Sequence, residues 1–337
     1  MAHSVPEVID ADGHIFERDE EINPYLPPEH QDSGSFKNAA FWPSLDGWRR
    51  GGLRAGHVDA AAWGKFLDDA EISAAVIYPT AALGFGFCRD PEWAVAVARG
   101  YNDFVFDRYL EQDSRLKAVA VLPLQDPQAA ATELQRAVGE LGMVGGLLPA
   151  AGLRIPYGDS AFDPLYHAAE DLQVPLAVHG APRQGVGIDF IDDPDAGFVL
   201  AHPLPVMVQF TSMIFAGVWD RFPRLKGAFL ETGCGWVPYL IERIDRRTEG
   251  RRHRKLASEQ VRNSPIYFHA ELEEEGVLPT ALAEVGDDRF LYASDFPHES
   301  AATATHALET FLARSDVSQG AKKKILCDNV KQIYGLE

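Results

Sequence analysis

Apolar residues in this chain follow two alternating rhythms. Short β-rich runs recur from one end to the other: EVIDADGH, SAAVIYPT, LKAVAVLPL, MVGGLLPA, VPLAVHG, LKGAFLETG, PIYFHAE and RFLYASDFP. Between most of them the apolar positions return every three or four residues, as in DPEWAVAVARGYNDFVFDRYLEQD, DPQAAATELQRAVGELG, AFDPLYHAAEDL, VMVQFTSMIFAGVWDRF and GWVPYLIERIDRRTE. Strands that alternate with helices in this way predict an α/β fold, a (β/α)8 TIM barrel in which residues 1–337 form a single domain. A doubly wound open sheet would carry a GxGxxG turn after an early strand, and none is found there.

Two stretches break the rhythm. Residues 15–58 follow the first strand and mix proline, glycine and aromatics without a period, as in NPYLPPEH, AAFWPSLDGW and RRGGLRAGH. A loop after a barrel strand rises over the active face, so this insertion is expected to be a lid. Its aromatics Phe41, Trp42 and Trp48 would either cover an apolar substrate or pin the loop to the barrel. The second stretch, APRQGVGIDFIDDPDAGFVLAHP after strand five, belongs on the same face.

The first strand ends in PEVIDADGHIF, where Asp10, Asp12 and His14 lie two apart and project to one side. Other strands also end in polar residues: His179 on strand five, Glu231 on strand six, His269 on strand seven and Asp295 on strand eight. A barrel gathers such ends at one mouth. Neutral imidazoles and carboxylates clustered there suit a divalent metal with positions left open for water and substrate.

Charge and composition narrow the partners. With 31 basic against 50 acidic residues the formal charge is −19, which repels nucleic acid and anionic lipid. Cys88, Cys234 and Cys327 are odd in number, far apart and in no CxxC pattern, so a reducing, cytoplasmic setting is expected. The start MAHSVPEVIDADGH has no leader pattern, and no apolar run is read as approaching the ~20 residues needed to cross a bilayer. The expected partner is a small-molecule substrate, with no nucleic acid and no membrane, and with a homo-oligomer left open.

DADGH after strand one, VHG at strand five, FLETGCGWVPYLIERID at strand six and LYASDFPH at strand eight resemble the metal-dependent amidohydrolase superfamily. Within it they are similar to the branch typified by aminocarboxymuconate-semialdehyde decarboxylase. RGYNDFV and RLKAVAVLPLQDP extend the likeness over residues 5–337. The resemblance implies one divalent ion on Asp12, His14, His179 and Asp295, with zinc first and manganese or iron as alternatives. The superfamily's usual first pair is His-x-His, and here it is Asp12-x-His14. Strand four, MVGGLLPA, lacks the lysine or carboxylate that would bridge a second metal. Decarboxylases of the branch carry a catalytic histidine on strand six, where this chain has Glu231.

That departure favours hydrolysis of an ester, lactone, thioester or amide by metal-activated water. Asp295 is then the expected base, and Glu231 and His202 position or relay protons. Nonoxidative decarboxylation of an aromatic or unsaturated acid is the alternative, and a barrel that binds metal and ligand without turnover is the third reading. His298, three residues beyond Asp295, would reach the substrate or cap a helix, and Arg183 would anchor a substrate carboxylate or be solvated. Trp42 and Trp48 would line the substrate from the lid. Asp10 is expected to bond backbone, Cys234 to pack, and Trp236 and Tyr239 to lie in the core.

Overall fold

The computed structural model describes residues 7–31, 58–180, 185–251 and 255–337. Eight parallel strands pair in sequence order. They are β1 (Ile9–Ile15), β2 (Ala74–Pro79), β3 (Leu116–Ala120), β4 (Gly145–Pro149), β5 (Leu176–His179), β6 (Gly227–Leu230), β7 (Ile266–His269) and β8 (Phe290–Leu291). Ala11 N–H donates to Tyr292 O and Asp295 N–H to Asp12 O, at 3.0 and 3.1 Å, which ties the end of β8 back to β1 and nearly closes the barrel. The strands are buried because helices cover their outer faces and side chains fill the inside.

The helices begin where local chemistry starts them. Asp90, Asp126 and Asp193 each accept backbone N–H bonds at a helix start and are followed by proline at the first helical position. The helix Pro127–Leu141 buries Ala130, Ala131, Leu134 and Ala137 and stops at Gly142, whose φ of +66° an L side chain resists.

Three expectations change. β8 was expected to run through Ala293, but its ladder ends at Leu291 because Tyr292 N–H turns away to Ile325 O. Trp236 is buried as expected, whereas Tyr239 is 56% exposed, on the outward side of the helix Trp236–Thr248. The consecutive helices Pro194–Ala201 and Pro203–Ala216 also make a stretch, Asp195–Ala216, long and apolar enough by length and composition to cross a bilayer. Val206, Phe210, Met213 and Ile214 of that stretch pack into the core, while Phe198, Val199 and Val208 are exposed.

In the insertion after β1, residues 19–31 form short helical turns. Ile22 and Leu26 are buried there, Leu26 beside Gly100. Phe41, Trp42, Trp48 and Arg183 lie outside the described residues.

Candidate active site

The mouth is assembled from β1 outward. The β1–β2 register shifts between Asp10 and Gly13, and a local irregularity of this kind re-aims side chains at the end of a strand. Asp10 takes the backbone role expected of it: it accepts from Asp12 N, Ser294 N and Ser294 Oγ. Burial raises its pKa to about 7 despite these bonds. Gly13 lets the Trp63 indole pass, since a Cβ there would lie 2.2 Å from Trp63 Cη2. The indole N–H in turn donates to His14 O.

His14 Nδ1 lies 3.0 Å from Pro79 O. A carbonyl only accepts, so Nδ1 carries the hydrogen and Nε2 offers its lone pair. Nε2 is buried without a hydrogen-bond partner, 3.6 Å from Asp12 Oδ1 and 3.4 Å from Asp295 Oδ1. Burial, then the neighbouring His298 and His179, keep the His14 pKa well below the ordinary range.

His179 Nδ1 donates to Gly180 O at 2.8 Å, and Nε2 faces Asp12 Oδ2 at 3.1 Å. Burial opposes a charge on this ring, yet the Asp12 and Glu231 carboxylates outweigh it and raise the pKa to about 10. Ligand atoms of Asp12, His14 and His179 lie within 4.8 Å of one another, and so do those of His14, Glu231, Asp295 and His298. The two groups share His14. A bare buried nitrogen among carboxylates, beside an imidazole that needs a proton to sit there, is the donor set a divalent cation fits.

Glu231 and Asp295 follow β6 and β8 with φ of +56° and +52°. The left-handed region is costly for residues with a side chain. The other described non-glycine residues with positive φ, Glu71 and Gln173, stand just past helix ends. Glu231 Oε2 lies 3.2 Å from His179 Nδ1, without the alignment of a hydrogen bond. Burial raises its pKa well above the carboxylate range; His179 offsets this, and Asp295, Asp12 and Glu271 add to it. His202 caps the junction of two helices, with Nδ1 3.6 Å from Glu231 Oε1. Burial drops its pKa to about 3, so the ring is neutral.

A cavity of about 390 Å³ opens beside these groups, its lining including Phe198, His202, Glu231, His269, Glu271 and Asp295. Clefts of about 530 and 600 Å³ elsewhere hold none of the clustered imidazoles, so chemistry rather than volume selects the site. His269 is buried in the wall with neither ring nitrogen hydrogen-bonded, and burial lowers its pKa to about 4. Cys234 packs as expected, fully buried. His298 reaches Asp295 Oδ1 through Nδ1 at 2.8 Å and stacks on His14 with ring centroids 4.1 Å apart.

Thr80 and Glu17 escaped the sequence reading. Thr80 stands just beyond the end of β2, where the rule that picked out the other strand ends would have found it. Glu17 sits in the insertion and carries no pattern.

The chain belongs to the amidohydrolase family, whose model matches residues 9–336, and it is an enzyme of that superfamily. It is 29% identical over 264 residues to the gamma-resorcylate decarboxylase of Polaromonas sp., covering 73% of this chain and 78% of that one. To the gamma-resorcylate decarboxylase of Rhizobium sp. it is 27% identical over 331 residues, 93% and 96% of the two chains. Among solved structures, a dihydroxybenzoic acid decarboxylase from Polaromonas sp. with bound manganese and the inhibitor 2-nitroresorcinol superposes with a TM-score of 0.71. Its identity is 21%, and 98% of each chain is covered. The expected hydrolysis of a carbonyl bond is overturned by these relatives, which are decarboxylases over most of the length. The physical reason lies at strand six: a buried Glu231 whose surroundings favour the protonated form can supply a proton, so the missing histidine does not argue against decarboxylation.

Proposed function

We propose that this protein is a metal-dependent nonoxidative decarboxylase of hydroxylated aromatic acids. The observation that carries the reading is the pair Glu231 and Asp295, both turned into one cavity from strained backbone beside the buried imidazoles. The decarboxylase relatives support the same reaction class.

Asp12, His14, His179 and Asp295 would hold one divalent ion. Manganese is favoured over the zinc first expected, because the set pairs two imidazoles with two carboxylates and the Polaromonas relative binds manganese. When bound, the ion supplies a positive charge that anchors the substrate carboxylate and its neighbouring hydroxyl.

The residues do the rest. The protonated Glu231 carboxyl delivers its proton to the ring carbon that bears the carboxylate. The new C–H bond takes its electron pair from the hydroxyl-activated ring. The bond from that carbon to the carboxylate then breaks, its electron pair returns to the ring and restores aromaticity, and carbon dioxide leaves. Neutral His202 positions Glu231, and the ionised Glu231 regains a proton through the cavity.

The test is carbon dioxide release from 2,6-dihydroxybenzoate and related hydroxybenzoates by the manganese-loaded protein. Turnover of at least one of them is expected. Hydrolysis of esters or amides without release of carbon dioxide from any aromatic acid would overturn the reading.

A further inference from the structure

The turn after β2 touches both imidazoles nearest Asp295. Pro79 O accepts from His14 Nδ1, and one residue on, Thr80 Oγ1 lies 2.8 Å from His298 Nε2. The turn is itself clamped, because Glu17 accepts from the backbone nitrogens of Thr80, Ala81 and Ala82 at 3.1, 2.9 and 3.3 Å. Thr80 is only 3% exposed, so its hydroxyl has little room to choose another partner.

We propose that Thr80 is a positioning residue of the site, whose hydroxyl fixes the His298 ring and through it the rotamer of Asp295. An ionised carboxylate only accepts, so the contact between His298 Nδ1 and Asp295 Oδ1 places the hydrogen on Nδ1. In the tautomer with its hydrogen on Nδ1 the ring presents a lone pair at Nε2, to which Thr80 Oγ1–H would donate. Stacking on His14 sets the plane of the ring, and the hydroxyl sets its rotation within that plane. Asp295 is thereby held through Oδ1. Partners behind the ligands of a metal commonly tune affinity in this way.

Thr80→Val keeps the shape and removes the hydroxyl, while Thr80→Ser restores it. Manganese binding by the full-length protein, read by titration, is expected to weaken about 10-fold in Thr80→Val and to stay within about twofold of wild type in Thr80→Ser. Nitrogen-15 spectra of the His298 ring, assigned with His298→Asn, should show the Nδ1–H form in wild type and Thr80→Ser and a mixture in Thr80→Val. With an identified substrate, kcat should fall in Thr80→Val and return in Thr80→Ser, with KM little changed. Thr80→Val with wild-type manganese affinity and an unchanged ring would overturn the proposal, as would Thr80→Ser impaired as much as Thr80→Val. The proposal rests on the metal-site reading above. Because metal binding and the ring spectrum need no substrate, failure to release carbon dioxide would sink the decarboxylase assignment and leave this one standing.

Discussion

The two sides of the barrel mouth are built on different terms. On the β1, β5 and β8 side, polar groups each have an atom tied down: Asp10 to Ser294, His14 Nδ1 to Pro79 O, His179 Nδ1 to Gly180 O, and Asp295 Oδ1 to His298. That leaves His14 Nε2 bare and aimed among the carboxylates. On the β6 and β7 side, Glu231 Oε2 and both nitrogens of His269 are buried with no hydrogen-bond partner among the described residues. Satisfied partners fix rotamers and tautomers, which holding a cation requires. Unsatisfied buried groups cost stability and favour their neutral forms, which suits exchange of a proton with a substrate. One side is arranged for charge, the other for neutrality.

Separating the sides by mutation should give the largest effects. His14→Ala and His179→Ala are expected to lose bound manganese and to abolish decarboxylation, as elemental analysis beside a carbon dioxide assay would read. Glu231→Gln should keep its manganese and lose turnover by about 10²- to 10⁴-fold, the usual weight of a proton donor. If Glu231→Gln loses metal as fully as His179→Ala, the two sides are one unit and the division fails. Asp295→Asn sharpens the boundary, since it should weaken manganese and turnover together, unlike Glu231→Gln.

The charged side was legible in the sequence because strand periodicity aims alternate residues one way, with Asp12 at the middle of β1 and His14 near its end, His179 at the end of β5 and Asp295 a short way past β8. Barrel topology follows from the same alternation. The neutral side was harder to read. Glu231 could be placed at the mouth, but its protonation depends on burial and on Asp295, Asp12 and Glu271, which only the folded chain brings near it. Thr80, just past β2, could have been found by the strand-end rule but is an ordinary hydroxyl there. Glu17 was missed because a carboxylate that bonds a neighbouring turn leaves no periodic mark. The outward Tyr239 shows a related limit: an apolar helix stripe has an edge, and the sequence does not say on which side of it an aromatic falls.

The charged side also depends on a close approach that can be broken from outside the ligand set. Gly13→Ala would set a methyl carbon 2.2 Å from the fully buried Trp63 ring. Overpacking of this kind should cost about 3 kcal/mol, seen as a lower midpoint in urea. Manganese affinity should fall with it, because Trp63 Nε1–H holds His14 O. A variant of unchanged stability would mean that the mouth is looser than its contacts imply.

The neutral side should betray itself by pH, in a smaller effect read on metal-free protein. Burial first, with His179 adding to it and Asp12 opposing, brings the His269 pKa down from 6.5 to about 4. Between those values the unfolded chain binds a proton that the folded chain refuses, so stability rises with pH across the interval. The contribution is therefore complete above about pH 6.5 and drains away as the pH falls toward 4. By pH 5 the loss from His269 alone should be about 2 kcal/mol. His202, brought down to about 3, adds a loss of the same sign. His14, also held well below the ordinary range, acts in the same direction. His269→Gln removes one of these groups, so its melting temperature should fall less steeply than that of wild type between pH 7 and pH 5. Parallel curves for the two proteins would show that the His269 ring keeps its ordinary proton affinity on folding, and the β7 wall would then not be a neutral one.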